Sequence, residues 1–467
     1  MISRRHFLQS SLSVALVPLV PRFVFAQTTL RVRPSWQAFA SGPLFPVFLN
    51  TVSKMRANTN IADPNSWGYW VETHKNFCPH RVKYFLTWHR GFLFRFEAQL
   101  RKVAANNGLI LPYWDYYTYP DMPSQFTDPT SPLYRSDRTG TNVRNALSLN
   151  PFADTVVNFP RYTTNAFEPQ LESLPHNAVH NLIGGVMSNV MLSPTDPIFW
   201  VHHANIDRLW AAWVRADNGR TMPPLTSTYW PGSFNYGPAV ATMGRKWTIS
   251  TTSLNYQYDN EIMPSALPPP PPTAPAALQL EAIPPRPLGT QNVTLGGARQ
   301  LALDEHSISI VVPLTVQDRA RVRSLLLKQA APKQPADIID NSVRVVLDGV
   351  RLTGLGAKGG YFYKVYINLP EATGIGLAES AYLLGTLGPF EITAEQHHAM
   401  QGGAHMHVGG DGVRLVYPVA QALQKIWPTT LDKLTVSFVR VNGSTQIKGT
   451  VILVKEFRVE AAEAPTT

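Results

Sequence analysis

Five consecutive prolines, Pro268 to Pro272, divide this chain of 467 residues into two parts that no single helix or strand can bridge. Each proline ring fixes φ and removes a backbone donor, so the run favours an extended polyproline II segment. Residues 263–294 therefore read as a proline-rich linker. Before it, residues 27–262 are rich in Trp, His and other aromatic residues. Helical spacing runs from Gly91 to Ala104 through Phe92, Phe96, Leu100 and Val103, and from Asn205 to Val214 through Ile206, Leu209, Trp210 and Trp213. A third helix is expected from Asn177 to Leu182, and Asp115 to Asn165 reads as long irregular loops over this helical core.

After the linker, residues 295–460 change pattern. Segments 307–312, 342–347, 361–367 and 434–439 are short and β-branched, and Gly, Asn and Asp separate them. That pattern predicts an all-β sandwich or barrel. The expected architecture is a mainly-α domain followed by an all-β sandwich-like C-terminal domain, with a short tail at 461–467 and no internal repeat.

The chain is 44% hydrophobic and 15% charged, which supplies sizeable cores and excludes a wholly disordered polymer. The formal net charge is +10, but the basic residues are spread out, and no Lys/Arg run marks a nucleic-acid partner. A single cysteine excludes an intrachain disulfide and a Cys-rich zinc module. At the N-terminus, Arg4-Arg5 precedes an apolar stretch from about Leu12 to Val20 and the small-residue end Val24-Phe25-Ala26. Those three parts in order read as a twin-arginine export signal at 1–26. The expected protein meets the twin-arginine translocation machinery, loses this segment, and is periplasmic or secreted. The apolar stretch is too short for the ~20 residues of a membrane span, so no anchor is expected in the mature chain.

Chemistry concentrates in the histidines, of which there are thirteen. Three lie at His74, His80 and His89, and four at His176, His180, His202 and His203. His176 and His180, four residues apart, share a face if helical, and a helix opening after Asp196-Pro197 would bring one of the His202-His203 pair beside them. Three imidazoles with no carboxylate or thiolate make a plausible copper environment. His80 and His89, nine apart, would lie on opposite faces of one helix, so they must converge from different elements. A lone buried histidine is most often structural, but two such groups within one domain are not explained that way.

Two ordered motifs carry a resemblance. One is His80, Phe85-Leu86-Thr87-Trp88-His89-Arg90 and Glu97; the other is Asp196-Pro197, Phe199-Trp200, His203 and Asp207. Over roughly residues 65–260 the chain resembles the tyrosinase family of polyphenol oxidases, catechol oxidases and molluscan hemocyanins. The resemblance implies a binuclear centre of two copper ions, dioxygen as co-substrate, and small phenols as substrates hydroxylated to o-diphenols or oxidised to o-quinones. A catechol or o-aminophenol oxidase lacking the hydroxylation step, or a hemocyanin-like dioxygen carrier, is the alternative. The resemblance makes His80 and His89 ligands of the first copper and His176, His180 and His203 ligands of the second, with His202 behind them. The first ligand of copper A often lies further upstream in the family; here the upstream candidate is His74, six residues before His80.

Further roles follow from the resemblance. Cys78, two residues before His80, occupies the place of a cysteine that in some members forms a thioether to that histidine; the alternative is a buried free thiol. Glu172 and Asn177 match a pair that holds a water able to take a phenol's proton, unless Glu172 only orients a histidine, and Glu168 is a nearby rival. Val190 matches a gate position over copper A. Tyr256-Gln257-Tyr258 matches the motif that closes the copper domain, with Arg33 the expected stacking mate. In long members the C-terminal domain covers the copper site with a placeholder side chain, for which Phe362 is the candidate here. A last cluster, His397-His398, Met400, His405-Met406-His407, mixes imidazole and thioether donors between glycines; it is a candidate copper-loading site or an ordinary polar loop.

Overall fold

In a computed structural model, the described residues are 30–269, 280–283, 294–328, 342–370, 377–400, 412–427 and 430–462. The expected export signal, the centre of the linker and His405 to His407 lie outside them. None of the helices among the described residues is long and apolar enough to cross a membrane.

The first half is built on helices α1 (Phe45–Ala57), α2 (Trp67–Phe77), α3 (Phe85–Ala104), α4 (Ala178–Ile183) and α5 (Ile198–Arg215). Turns, short helices and loops connect them, including the whole of 115–165 as its composition predicts. Both long helices start earlier than their periodicity suggests. Residues 85–93 of α3 and 198–213 of α5 are buried on every side, so no polar stripe marks their first turns.

A short parallel pair closes this half: β1 (Arg31–Arg33) lies beside β2 (Tyr256–Tyr258). Between them and the long helices runs a buried charge network. Arg33 stacks 3.8 Å over the Tyr256 ring, as its expected mate should, and its Nε donates to Glu97 at 2.8 Å. Asp207 accepts from Arg90 Nε at 2.6 Å, from Tyr256 at 2.5 Å and from Tyr258 at 2.7 Å. Burial alone would raise the Glu97 pKa, but Arg33 and Arg101 outweigh it and hold the carboxylate below its usual value. Arg90 and Glu97 sit on α3 and Asp207 on α5, so the network fixes the two helices that carry His89 and His203. Three of the motif residues thus serve geometry.

The second half is a two-sheet sandwich. Its strands are β3 (Leu280–Ile283), β4 (Thr294–Leu303), β5 (Ser307–Pro313), β6 (Val343–Leu352), β7 (Tyr361–Ile367), β8 (Leu383–Leu387), β9 (Val413–Pro418), β10 (Lys433–Asn442) and β11 (Ile452–Ala461). One sheet has the order β8-β7-β10-β5-β3, the other β9-β6-β11-β4. Pairing is antiparallel except between β3 and β5. Alternating side chains such as Val345, Leu347, Ile310, Val312, Val436 and Phe438 enclose a second core. Strand β3 falls within the segment expected to be linker. Helices α6 (Val316–Lys328), α7 (Pro389–Met400) and α8 (Ala420–Ile426) interrupt the sandwich; all three are too short or too weakly patterned to stand out in sequence.

The halves meet closely. The first core takes in Phe362, Phe390 and Ala394 from the second half. Gly184 and Gly359 approach so nearly that a Cβ on Gly359 would lie 2.6 Å from the Gly184 Cα, and both have φ near +70°. Only glycine meets both demands there.

Two buried carboxylates set the loops around the long helices. Glu168 accepts from the backbone N–H of Leu86 at 3.2 Å and of Arg161 at 3.1 Å. Burial outweighs these donors and the nearby Arg161, raising its pKa to about 7. A carboxyl raised in the folded state costs stability as pH climbs from the unfolded value, near 4.5, through about 7, and the cost is constant above that. Glu168→Gln should therefore gain stability over the parent by roughly 2–3 kcal/mol at pH 8 compared with pH 4.5. Urea unfolding of both full-length proteins at the two pH values checks this; a difference independent of pH would contradict it.

Candidate metal centre

Ser66 caps α2 by accepting from the Tyr69 N–H, and the helix delivers His74 fully buried near its end. The chain then leaves the helix through Cys78, and His80 sits on the loop before α3, not on the helix, as the nine-residue spacing requires. Glu172 pins this loop by accepting the Arg81 N–H at 2.6 Å. Tyr84, at φ +79°, turns the chain into α3, and His89 follows one turn in rather than at the helix start. The three rings form a near-equilateral triangle: centroids are 5.2 Å apart for His74 and His80, 5.1 Å for His80 and His89, and 5.4 Å for His74 and His89.

The second triad is built by other elements. His176 lies two residues before α4 and His180 within it, with ring centroids 4.7 Å apart. The chain enters α4 through a distorted helical turn, Glu172–Asn177, in which Leu174 is extended (φ −136°, ψ 123°). His203, inside α5, lies 4.8 Å from His176 and 5.4 Å from His180. The triads face each other, with His89 and His203 stacked at 4.6 Å.

The ring nitrogens show what the site is built to hold. His89 Nδ1 lies 2.8 Å from the Phe85 carbonyl, and His180 Nδ1 lies 2.8 Å from the Met187 carbonyl. A carbonyl only accepts, so each Nδ1 carries the proton and each Nε2 is left with a bare lone pair. His176 Nδ1 is held in the same sense by the Asn177 side-chain oxygen at 2.8 Å. Yet His176 and His180 Nε2 approach His203 Nε2 to 3.3 and 3.2 Å, and His89 Nε2 approaches His74 Nε2 to 3.3 Å. Burial, reinforced by neighbouring imidazoles, drives the pKa of His74, His80, His176, His180 and His203 well down, and burial takes His89 to about 3. None of these rings therefore carries a second proton at neutral pH, and each close Nε2 pair shares at most one hydrogen. Both nitrogens of His80 and the Nδ1 atoms of His74 and His203 are buried without a hydrogen-bond partner. Converging lone pairs in a dry, uncharged, all-imidazole site fit a soft or borderline divalent cation such as copper at each triad.

His202 is also buried, with both nitrogens lacking a hydrogen-bond partner, and its ring stacks on His176 at 5.3 Å. It lies within the same four-histidine cluster, but His203 is the one whose Nε2 meets those of both His176 and His180. The Cys78 sulfur is buried and lies within 4.8 Å of ligand atoms of His74 and His80; burial raises its thiol pKa. Glu172 and Asn177 have separate partners. Glu172 accepts from Arg81 N–H and pairs with Arg161, while Asn177 holds His176. A cavity of about 430 Å3 between the halves is lined by both residues together with Arg81, Arg161, Glu391 and Tyr417. Val190 is fully buried, and its N–H donates to Thr393 on α7 at 3.1 Å.

The side chain over the histidines is Phe390, in the first turn of α7. Its ring stacks on His180 at 4.1 Å and lies 5.4 Å from His176 and 5.5 Å from His80. This corrects Phe362, which lies on β7, paired in backbone register with Val441 and buried in the first core. A Phe in Gly388-Pro389-Phe390-Glu391 carries no mark that distinguishes it from a core aromatic, so sequence reasoning missed it. From the other cluster, His397 is buried and its Nε2 contacts the Lys75 carbonyl beside His74.

Comparison with known proteins agrees with this geometry. The family model for the common central domain of tyrosinase matches residues 59–164 and 150–216. A tyrosinase of Streptomyces lincolnensis is 32% identical over 235 residues, a match spanning 38% of this chain and 85% of that protein. Tyrosinase HcTyr1 of a Hahella species is 35% identical over 200 residues, 34% of this chain and 41% of the relative's length. Hemocyanin units of Enteroctopus dofleini match at 26% identity over 226 residues. Among solved structures, latent apple tyrosinase shares the fold at TM-score 0.54 and 20% identity, covering 93% of this chain and 98% of that one. A latent aurone synthase does so at TM-score 0.54 and 16% identity, covering 94% and 91%. The likeness to both structures extends through the β-sandwich. With its central-domain match, its Streptomyces relative and two facing histidine triads, the chain belongs to the tyrosinase family.

Proposed function

We propose that this protein is a phenol oxidase in which His74, His80 and His89 hold one copper ion and His176, His180 and His203 hold a second. The observation that carries the reading is the convergence of six buried, uncharged imidazoles, ring nitrogen toward ring nitrogen, in two facing triads. When bound, the copper pair supplies the redox chemistry between dioxygen and a phenol. The chain's residues supply the rest. Carbonyls of Phe85 and Met187 fix the protons of His89 and His180 on Nδ1, and Asn177 does the same for His176. Phe85, Phe199 and Trp88 wall the triads against water, with Phe199 4.0 Å from His203 and Phe85 4.6 Å from His176.

Oxidation of an o-diphenol to its o-quinone is the better-supported reaction. Hydroxylation of a monophenol asks for a group that takes the phenol's proton, and Glu172 is the candidate. Both of its oxygens already accept hydrogen bonds, from Arg81 and Arg161, and Asn177 is committed to His176. A dioxygen-carrier reading has one specific support, the match to octopus hemocyanin units. The expected ligands are small phenols; nothing in the site suits nucleic acid.

Two refinements belong to the same reading. Phe390 stacked on His180 makes the sandwich a lid and the intact chain a latent enzyme. Cys78, buried beside His80, would form a thioether to that ring in copper-loaded protein, the thiol S–H and one ring C–H being replaced by a C–S bond with dioxygen as the two-electron oxidant, reduced to hydrogen peroxide; this would hold the imidazole plane, so peptides spanning both residues should lack two hydrogens, and unmodified peptides from active enzyme would remove the idea. The Arg4-Arg5 segment directs export by the twin-arginine route, so replacing both arginines by lysine should leave unprocessed protein in the cytoplasm.

Oxygen uptake by the copper-loaded full-length protein, before and after proteolysis in the proline-rich segment, tests the function. Uptake with an o-diphenol that rises after cleavage is expected. Uptake with a monophenol as well, lost in Glu172→Gln, would add the hydroxylase step. Reversible dioxygen binding with no uptake from either substrate would overturn the oxidase reading in favour of the carrier.

A further inference from the structure

A lid must be held down by something: Thr393, Glu395 and His397 of α7 contact Val190, Arg81 and Lys75, and the backbone N–H of Phe390 itself is held by one residue of the copper domain. Asn181 directly follows His180 and is fully buried. Its backbone carbonyl accepts from the Gly360 N–H at 2.7 Å. Its side-chain oxygen accepts from the Phe390 N–H at 2.8 Å, and its side-chain nitrogen donates to Glu391 at 2.9 Å. The other Glu391 oxygen accepts from the Thr386 hydroxyl at 2.5 Å, which lies 3.1 Å from the Ser173 hydroxyl of the first half.

Helix α7 explains why an asparagine serves here. The first turn of a helix leaves backbone N–H groups without intrahelical partners, normally satisfied by the side chain just before the helix. Before α7 that position is Gly388, which has no side chain, and Pro389 has no N–H. Phe390 therefore brings the first free donor, and Asn181 caps it from the other half of the protein. Asparagine is among the best residues for this task. Gly388 is also glycine for a reason of space: a Cβ there would lie 2.5 Å from the Asn181 side-chain nitrogen and 2.7 Å from its Cγ. The missing cap and the missing side chain thus form the socket that receives the amide.

We propose that Asn181 is the latch of the lid: a helix cap supplied across the two halves, which sets α7 so that Phe390 lies on His180. The proposal rests on the lid reading above and names the contact that regulates the same site. Losing the side-chain amide removes two buried hydrogen bonds. At about 1 kcal/mol each, about 2 kcal/mol in all, that raises the undocked population about thirtyfold, without any cut in the chain.

The test uses full-length, copper-loaded protein with an intact linker. Asn181→Ala breaks the latch from the copper domain, and Gly388→Ala blocks the socket from the lid, with no change in the segment that carries His180. Both should raise amide hydrogen exchange in the segment 388–393, by about thirtyfold in Asn181→Ala, and raise o-diphenol oxidation, with copper content unchanged. Glu391→Gln, which keeps an acceptor for Asn181 and a donor for Thr386, should exchange like the parent. Phe390→Ala keeps the capped N–H but removes the ring, so it reports on the lid alone. If Phe390→Ala activates the enzyme while exchange stays at the parental rate in both Asn181→Ala and Gly388→Ala, the lid stands and the latch is wrong. If Phe390→Ala leaves activity unchanged, the lid reading fails, and the exchange rates alone decide whether Asn181 holds α7.

Discussion

The structure depends on keeping six imidazoles uncharged, dry and turned toward one another. In water each would titrate near pH 6.5; here burial removes the charged form, and carbonyl or amide acceptors on the outer nitrogens of His89, His176 and His180 point their lone pairs inward. Such an arrangement repels itself unless a cation occupies it, so the surrounding fold has to hold it by force. The Arg33, Arg90, Glu97 and Asp207 network performs that service, locking α3 to α5 through charges that satisfy one another out of water. Glu168 and Glu172 extend the same logic to the loops, each taking backbone N–H groups that would otherwise be buried without partners.

The β-sandwich continues this architecture. Its α7 presses one aromatic ring onto His180, and the surfaces approach through glycines whose missing side chains make the fit possible. The histidine cluster and the interface with the second half thus meet at adjacent residues: His180 stacks on Phe390, and Asn181 accepts the Phe390 N–H.

The two histidine clusters, the helical first half and the sandwich were legible because their signals are local: ordered histidine motifs, period-two β-branched runs and a proline run between them. Tyr256 and Tyr258 announced their partner, and Arg33 is found stacked on the first of them. Helix starts were less legible. Residues around His89 and His203 are buried on all sides, and an element without a wet face shows no periodic stripe. Phe390 and Asn181 were not legible at all. Their meaning lies in contacts between residues more than 200 positions apart, and neither a Phe after Gly-Pro nor an Asn after His differs in sequence from its ordinary structural counterparts. Glu172 shows the converse: the family resemblance implied a water-holding role, and its partners Arg81 and Arg161 come from contacts that the resemblance did not announce.

The central claim is that two separate all-imidazole triads each hold one copper ion. Anomalous diffraction at the copper edge from crystals of the copper-loaded full-length protein tests it most directly. The account predicts two peaks, one within His74, His80 and His89 and one within His176, His180 and His203, with His202 outside both. A single peak, or a second ion bound through His202 in place of His203, would contradict it.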